Sequence, residues 1–142
     1  MSASKSEKLK DHIAPLLSAM RDFSDQTVQE QLEKILVPEC QIKMCFPFGT
    51  IKGAENYFGT TYKPLLRAFP NLERRDLIIL AGETPEGTDW VACMGNYFGT
   101  FVSCFLEMLR PGQLGPRGFH GVHSSQNEKI VVIHDVWDFS TL

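Results

Sequence analysis

Apolar residues in the first third of the chain recur at three- and four-residue steps. Leu9, Ile13, Leu16, Leu17 and Met20 make one stripe, and Val28, Leu32, Ile35 and Leu36 make a second. That period predicts two amphipathic helices. Pro15 falls inside the first stripe, where a missing N–H and a clash with the preceding turn predict a kink or the first turn of the main segment. Ser24-Asp25 offers cap chemistry, Thr27 and Glu30 have capping-box spacing, and Pro38 closes the second helix. A short strand is expected around residues 41–45, then a turn at Phe46-Pro-Phe-Gly49. Gly53 opens a third helix with a large aromatic face of Tyr57, Phe58, Tyr62 and Phe69, interrupted by Pro64 and ended by Pro70.

From Leu72 onward the period changes to two. Leu77–Ala81 is continuously apolar, residues 82–87 form a turn cluster, and Trp90–Phe101 alternates as a long strand. Gly95 and Gly99 inside it suggest bulges or bends of a curved sheet. Residues 110–118 read as a loop. Phe119–Ser125 and Ile130–Trp137 read as the arms of a final hairpin around Asn127-Glu128. Helices first and antiparallel strands after is an α+β layout, expected to form one domain over residues 1–142.

Composition narrows the function classes. With 43% hydrophobic residues and 10 Phe among the aromatics, the chain can bury a core without a disulfide or metal staple. Net charge is −3 and neither half carries a basic stripe, which argues against a nucleic-acid partner. Arg74-Arg75 is flanked by Glu73 and Asp76 and reads as a neutralised solvent face. No long apolar run or leader-like start is present, so no membrane association and a cytoplasmic location are expected. Cys40, Cys45, Cys93 and Cys104 form no CxxC pair and are expected as buried or half-buried thiols. No cofactor and no metal are expected. Nucleophile-elbow, phosphate-loop and dinucleotide motifs are absent, and His120 and His123, three apart on a strand, would face opposite ways.

Asp135 stands out. It lies in Ile130-Val-Val-Ile-His-Asp-Val-Trp137, with Ile133 and Trp137 on its own strand face. A carboxylate among such groups is unfavourable unless paired or raised in pKa, and a raised carboxyl suits proton transfer near neutral pH. An outward-facing Asp on a half-exposed strand is the other reading. A two- or four-residue hairpin loop would set His120 opposite Asp135, and a three-residue loop would set it against His134; the four-residue loop is expected, since Asn-Glu is a poor two-residue turn. The expected inward set is Val131, Ile133, Asp135 and Trp137, with His120, Val122 and Ser124 inward on the partner strand. Trp90, Met94, Tyr97, Phe98 and Phe101 are candidates to line an apolar cavity beside the pair, or simply to fill the core.

Three segments together resemble the SnoaL-like polyketide cyclases (ester cyclases) of the nuclear transport factor 2-like superfamily. They are Pro64-Leu-Leu-Arg-Ala-Phe-Pro-Asn-Leu-Glu73, Gly95-Asn-Tyr-Phe-Gly-Thr-Phe101, and Lys129-Ile through Trp137-Asp138, with Phe105–Gly112 in the place of the family's entrance loop. The resemblance implies a cone: a curved antiparallel sheet, an α+β barrel of cystatin-like type, closed by three N-terminal helices around a deep pocket. It implies ring closure by aldol condensation without metal or covalent intermediate, with the acid/base Asp on Asp135 and its His on His120. Ile133, Trp137 and the aromatics of 90–101 would then bind a small apolar carbonyl compound, in a cyclase, isomerase or lyase type of reaction. A homodimer is expected from the family's habit and from strands with few lysines. A non-catalytic ligand-binding or dimerisation module of the same fold is the alternative.

Overall fold

The computed structural model describes residues 4–45, 48–100, 102, 103, 117–126 and 129–137; for 117–126 and Asp25 it describes the backbone. Helix α1 (Lys5–Arg21) starts at Ser4, whose hydroxyl accepts from the Glu7 N–H while the Glu7 carboxylate accepts from the Ser4 N–H. This capping box satisfies two of the donors that a helix start leaves open. Pro15 sits inside α1, and Ile13, Leu16 and Met20 are the buried residues of its stripe. Helix α2 (Asp25–Ile35) begins before Thr27, so the expected Thr27–Glu30 capping box is not formed; Ser24 is the N-cap residue.

Strand β1 (Leu36–Met44) follows α2 directly and runs through Pro38. Proline gives no N–H to a ladder, and the pairing of β1 shifts register between Leu36 and Gln41. The short strand β2 (Thr50–Lys52), which the sequence pattern did not suggest, pairs antiparallel with β1. The third helical region is α3 (Ala54–Tyr57), a π-helical turn (Phe58–Tyr62) and α4 (Lys63–Ala68) in one run. In the π turn the Lys63 N–H reaches back five residues to the Phe58 carbonyl. Two neighbours favour the wider turn. The Thr61 hydroxyl takes the Tyr57 carbonyl at 2.6 Å, and Pro64 has no N–H to continue the α ladder.

Strands β3 (Glu73–Glu83), β4 (Asp89–Phe98), β5 (Arg117–Gln126) and β6 (Lys129–Trp137) complete a six-stranded sheet in the order β2-β1-β6-β5-β4-β3. The α+β class expected from the sequence is present, with two corrections. The β1–β6 pair is parallel rather than antiparallel, which a connection running through nearly the whole chain permits. The curved sheet also ends on β2 and β3 and is not closed into a barrel.

Helices pack on one face of this sheet, where Val28, Leu32, Ile42, Tyr57, Tyr62, Val91, Ile130 and Ile133 form the core. The opposite face keeps apolar residues in the open: Leu80 is 62% exposed and Val136 52%. Among the described residues no helix is long and apolar enough to cross a membrane. Cys40 and Cys93 are buried free thiols and Cys45 is a half-buried one, while Cys104 lies outside the described residues.

Candidate active site

Alternation on β6 places Ile133, Asp135 and Trp137 in the core and leaves His134 and Val136 exposed. The same alternation sorts β4. Tyr97 faces the core with Asp135, whereas Met94 and Phe98 are more than a third exposed on the other face. Trp90 shares that outer face, its ring 5.9 Å from that of His134. These three expected pocket residues are therefore not beside Asp135, because in a strand only positions of one parity share a face. Phe101 lies outside the described residues.

The hairpin departs from expectation twice: pairing runs one step further toward the turn than the expected four-residue loop allows, and the register then slips. Gln126 pairs with Lys129 and Ser125 with Ile130, as a loop of two residues requires, but Ser124 then pairs with Val132. Val131 is an unpaired extra residue, a β-bulge. Beyond it Gly121 lies across from Asp135, and His120 lies across from the exposed Val136. The expected juxtaposition of His120 with Asp135 is thus not formed in the ladder; the side chains of His120, Val122 and Ser124 lie outside the described ones. The bulge has a physical cause. Ile130 and Ile133 are both buried, and positions three apart can share a face only if one residue is looped out.

Tyrosines meet Asp135 instead. Asp135 is 6% exposed and accepts a hydrogen bond from the Tyr57 hydroxyl. The Tyr57 hydroxyl lies 3.1 Å from that of Tyr62, which lies 3.3 Å from that of Tyr97. In an α-helix five residues step about 140° round the axis, so Tyr57 and Tyr62 would diverge. The π turn brings them together with ring centroids 5.2 Å apart. Trp137 walls the group, its ring 5.4 Å from Tyr62 and 5.6 Å from Tyr97. The Trp137 N–H donates to the Cys45 sulfur at 3.4 Å, which ties the end of β6 to the end of β1.

Arg74 completes the site and corrects the reading of Arg74-Arg75 as a solvent face. Arg75 does pair with Glu73 in the open, but Arg74 is 4% exposed. Its Nε donates to Asp76 Oδ1 at 3.2 Å, its Nη1 lies 3.1 Å from the Met20 sulfur, and its Cζ is 5.9 Å from the Tyr97 ring centroid. A basic residue bracketed by acids gave no sign of burial. What buries it is a position directly across from Tyr97 on the core face of β3.

The electrostatics follow from burial. Asp135 is pushed above the ordinary carboxyl range by desolvation, opposed by the Tyr57 hydrogen bond and then by the charges of Arg74 and His134. Tyr57, Tyr62 and Tyr97 are all raised, first by burial, with the charge of Asp135 adding to it. Burial opposes the charge on Arg74, yet Tyr97, Tyr62, Asp76 and Asp135 outweigh it and hold the guanidinium charged. The protein has three tyrosines and all are in this group. Tyrosinate absorbance should therefore stay silent as pH rises past the usual value of about 10. Because the folded values are raised, stability is lost above that pH, and all three should ionise together as the fold opens. A spectrophotometric titration followed by near-ultraviolet circular dichroism tests this; tyrosinate forming in the intact fold near pH ~10 would contradict it.

At the sequence level no family model and no curated relative matches the chain. Solved structures do. A candidate SnoaL-like polyketide cyclase from Jannaschia sp. CCS1 superposes with a TM-score of 0.78 at 15% identity, over 99% of this chain and 93% of that one. IdmH, a candidate polyketide cyclase from Streptomyces antibioticus, gives 0.73 at 18% identity over 92% of both chains. AclR, a candidate hydroxylase from Streptomyces galilaeus, gives 0.74 at 18% identity over 94% of this chain and 77% of that one. At such identities the likeness is one of architecture: the chain has the fold of the SnoaL-like polyketide cyclases.

Proposed function

We propose that the protein is a small-molecule enzyme that moves a proton by general acid/base catalysis on an apolar carbonyl compound, in an aldol-type ring closure or an isomerisation. The observation carrying this reading is the buried Asp135, raised by desolvation and held by a tyrosine hydroxyl. A general base is most effective when its pKa lies near the working pH, and burial moves a carboxyl that way. Asp135 would take the proton beside the carbonyl. The Tyr57 hydroxyl, whose hydrogen goes to Asp135, would hold and orient the base for that step. Ile133, Tyr97 and Trp137 supply the apolar wall on the same face. The names of the structural neighbours make polyketide-like carbonyl compounds the first class to try.

One observation favours a non-catalytic binding or dimerisation module instead. Tyr57, Tyr62, Tyr97 and Trp137 are each 5% exposed or less, so aromatic side chains themselves fill the space beside Asp135. Deuterium uptake at the carbon next to the carbonyl, followed by NMR over a panel of β-diketones and polyketide-like ketones, separates the two. The enzyme reading expects catalysed exchange that Asp135→Asn removes. Ligand binding without exchange in either protein supports the module.

We also propose a homodimer through the outer sheet face. Ile78, Leu80, Met94, Phe98 and Val136 are exposed there, and strands β3 to β6 carry one lysine between them, Lys129. Such a surface is the kind that a second subunit covers. Analytical ultracentrifugation should show a dimer at micromolar concentration, and Leu80→Asp with Val136→Asp should yield folded monomer. A monomeric wild-type protein would rule the dimer out.

A further inference from the structure

The protein has ten phenylalanines but three tyrosines, and all three tyrosine hydroxyls stand in one buried file that ends on Asp135. A phenol carries one hydrogen. Tyr57 gives its hydrogen to Asp135, so towards Tyr62 its oxygen can only accept. The hydrogen of Tyr62 is then committed to Tyr57, and Tyr62 can only accept from Tyr97. Donor counting therefore sets a direction: while Asp135 is ionised, every hydroxyl hydrogen in the file points toward it. At the far end the Arg74 guanidinium lies against the Tyr97 ring, steadied by Asp76. A cation near a phenol ring draws electron density from it and makes its O–H a better donor.

We infer that Tyr62 and Tyr97, acting through Tyr57, and Arg74, acting through Tyr97 and also by its own charge, are positioning residues that keep the buried carboxyl of Asp135 ionised between turnovers. This rests on reading Asp135 as the base. Hydrogen bonds in a chain polarise one another, by roughly 10–30% per bond, so donors that never touch the carboxylate still strengthen the one that does. When Asp135 takes a proton from substrate, the proton resides on the carboxyl oxygen away from Tyr57 and is returned from there. The file keeps its three hydrogens throughout.

The other groups around Asp135 lie outside the file. Cys93 on β4 has its thiol pushed up to about 11 by burial and stays neutral where a carboxyl titrates. His134, its exposed neighbour on β6, favours the carboxylate by charge alone, and Met44, across from it on β1, is apolar. Asp76 acts on Arg74 rather than on Asp135 directly.

The test is the titration midpoint of Asp135 itself, read from its carboxyl carbon by NMR and assigned by its loss in Asp135→Asn. It would be compared in wild type, Tyr57→Phe, Tyr62→Phe, Tyr97→Phe and the paired variant Arg74→Gln/Asp76→Asn. Phenylalanine keeps each ring and removes the oxygen alone. The midpoint should rise by about one unit in Tyr57→Phe. In Tyr62→Phe and Tyr97→Phe it should rise by a few tenths, in that order. The paired variant should raise it as well. Unchanged midpoints in Tyr62→Phe and Tyr97→Phe overturn the inference. A purely structural role would change melting temperature without this graded shift. A second readout needs no variant: in wild type the hydroxyl protons of Tyr57 and Tyr62 should shift together as Asp135 titrates, and independent titration overturns the file. Graded midpoints with exchange unaffected by Asp135→Asn would leave the file standing and remove the base. Lost exchange with ungraded midpoints would do the reverse.

Discussion

An Asp135→Asn protein should lose proton transfer by about 10²–10⁴-fold, the usual contribution of a positioned acid or base, and should also be more stable than wild type at neutral pH. The second half follows from the direction of the Asp135 shift. Burial raises the folded-state carboxyl above its unfolded value, so the neutral form is the one the fold prefers. The stability belonging to that neutral form is fully present below the unfolded pKa of about 3.9 and is lost as pH rises through the folded midpoint. Above it the wild type holds a buried charge that asparagine does not, at about 1.4 kcal/mol for each unit separating the two midpoints. Asparagine keeps an oxygen for the Tyr57 hydroxyl. Urea melts across a pH series should show the two proteins equal at about pH 4 and diverging above it. Such a gain in stability with a loss of activity marks a residue kept for chemistry. A less stable Asp135→Asn protein at neutral pH would instead mark the carboxylate as an anchor for Tyr57.

Gly95→Ala should be among the most damaging small substitutions. A Cβ at this position would lie 1.9 Å from the Arg75 carbonyl oxygen and 2.9 Å from the Asp76 Cα, both backbone atoms. No rotamer change relieves that clash, so β3 or β4 must move. Gly95 pairs with Asp76, beside the register shift between Asp76 and Ile78, and sits two residues from Tyr97. Separation there would pull Arg74 from Tyr97 and open the hydroxyl file. The expected loss is at or above the ~1–3 kcal/mol typical of overpacking, from a total near 5–15 kcal/mol. Gly82→Ala serves as the control on β3, since nothing lies within 4 Å of its would-be Cβ. It should stay within about 0.5 kcal/mol of wild type. Equal denaturation midpoints for Gly95→Ala and wild type would show that the close approach is not built into the fold.

The last hairpin shows how far local pattern reaches. Its arms and the inward set of Ile133, Asp135 and Trp137 follow from alternation on either side of a polar segment. The placement of His120 does not, because the bulge at Val131 adds one residue to one arm only. Parity along β4 is equally local: Trp90, Met94 and Phe98 share even numbers and cannot face the core with Tyr97.

By itself the sequence determined the α+β order, the stripes of α1 and α2, the arms of the β5–β6 hairpin and Asp135 as a carboxyl set among apolar neighbours. All of these depend on residues close together along the chain, whose period and turn chemistry act locally. Tertiary structure alone decided the rest. It paired β1 parallel to β6, looped out Val131 so that Ile130 and Ile133 could both be buried, and buried Arg74 across from Tyr97. It gathered Tyr57 and Tyr62 from the π turn and Tyr97 from β4 onto one carboxyl of β6. These choices turn on close packing and on finding a partner for each buried polar group, and both depend on contacts between residues tens of positions apart.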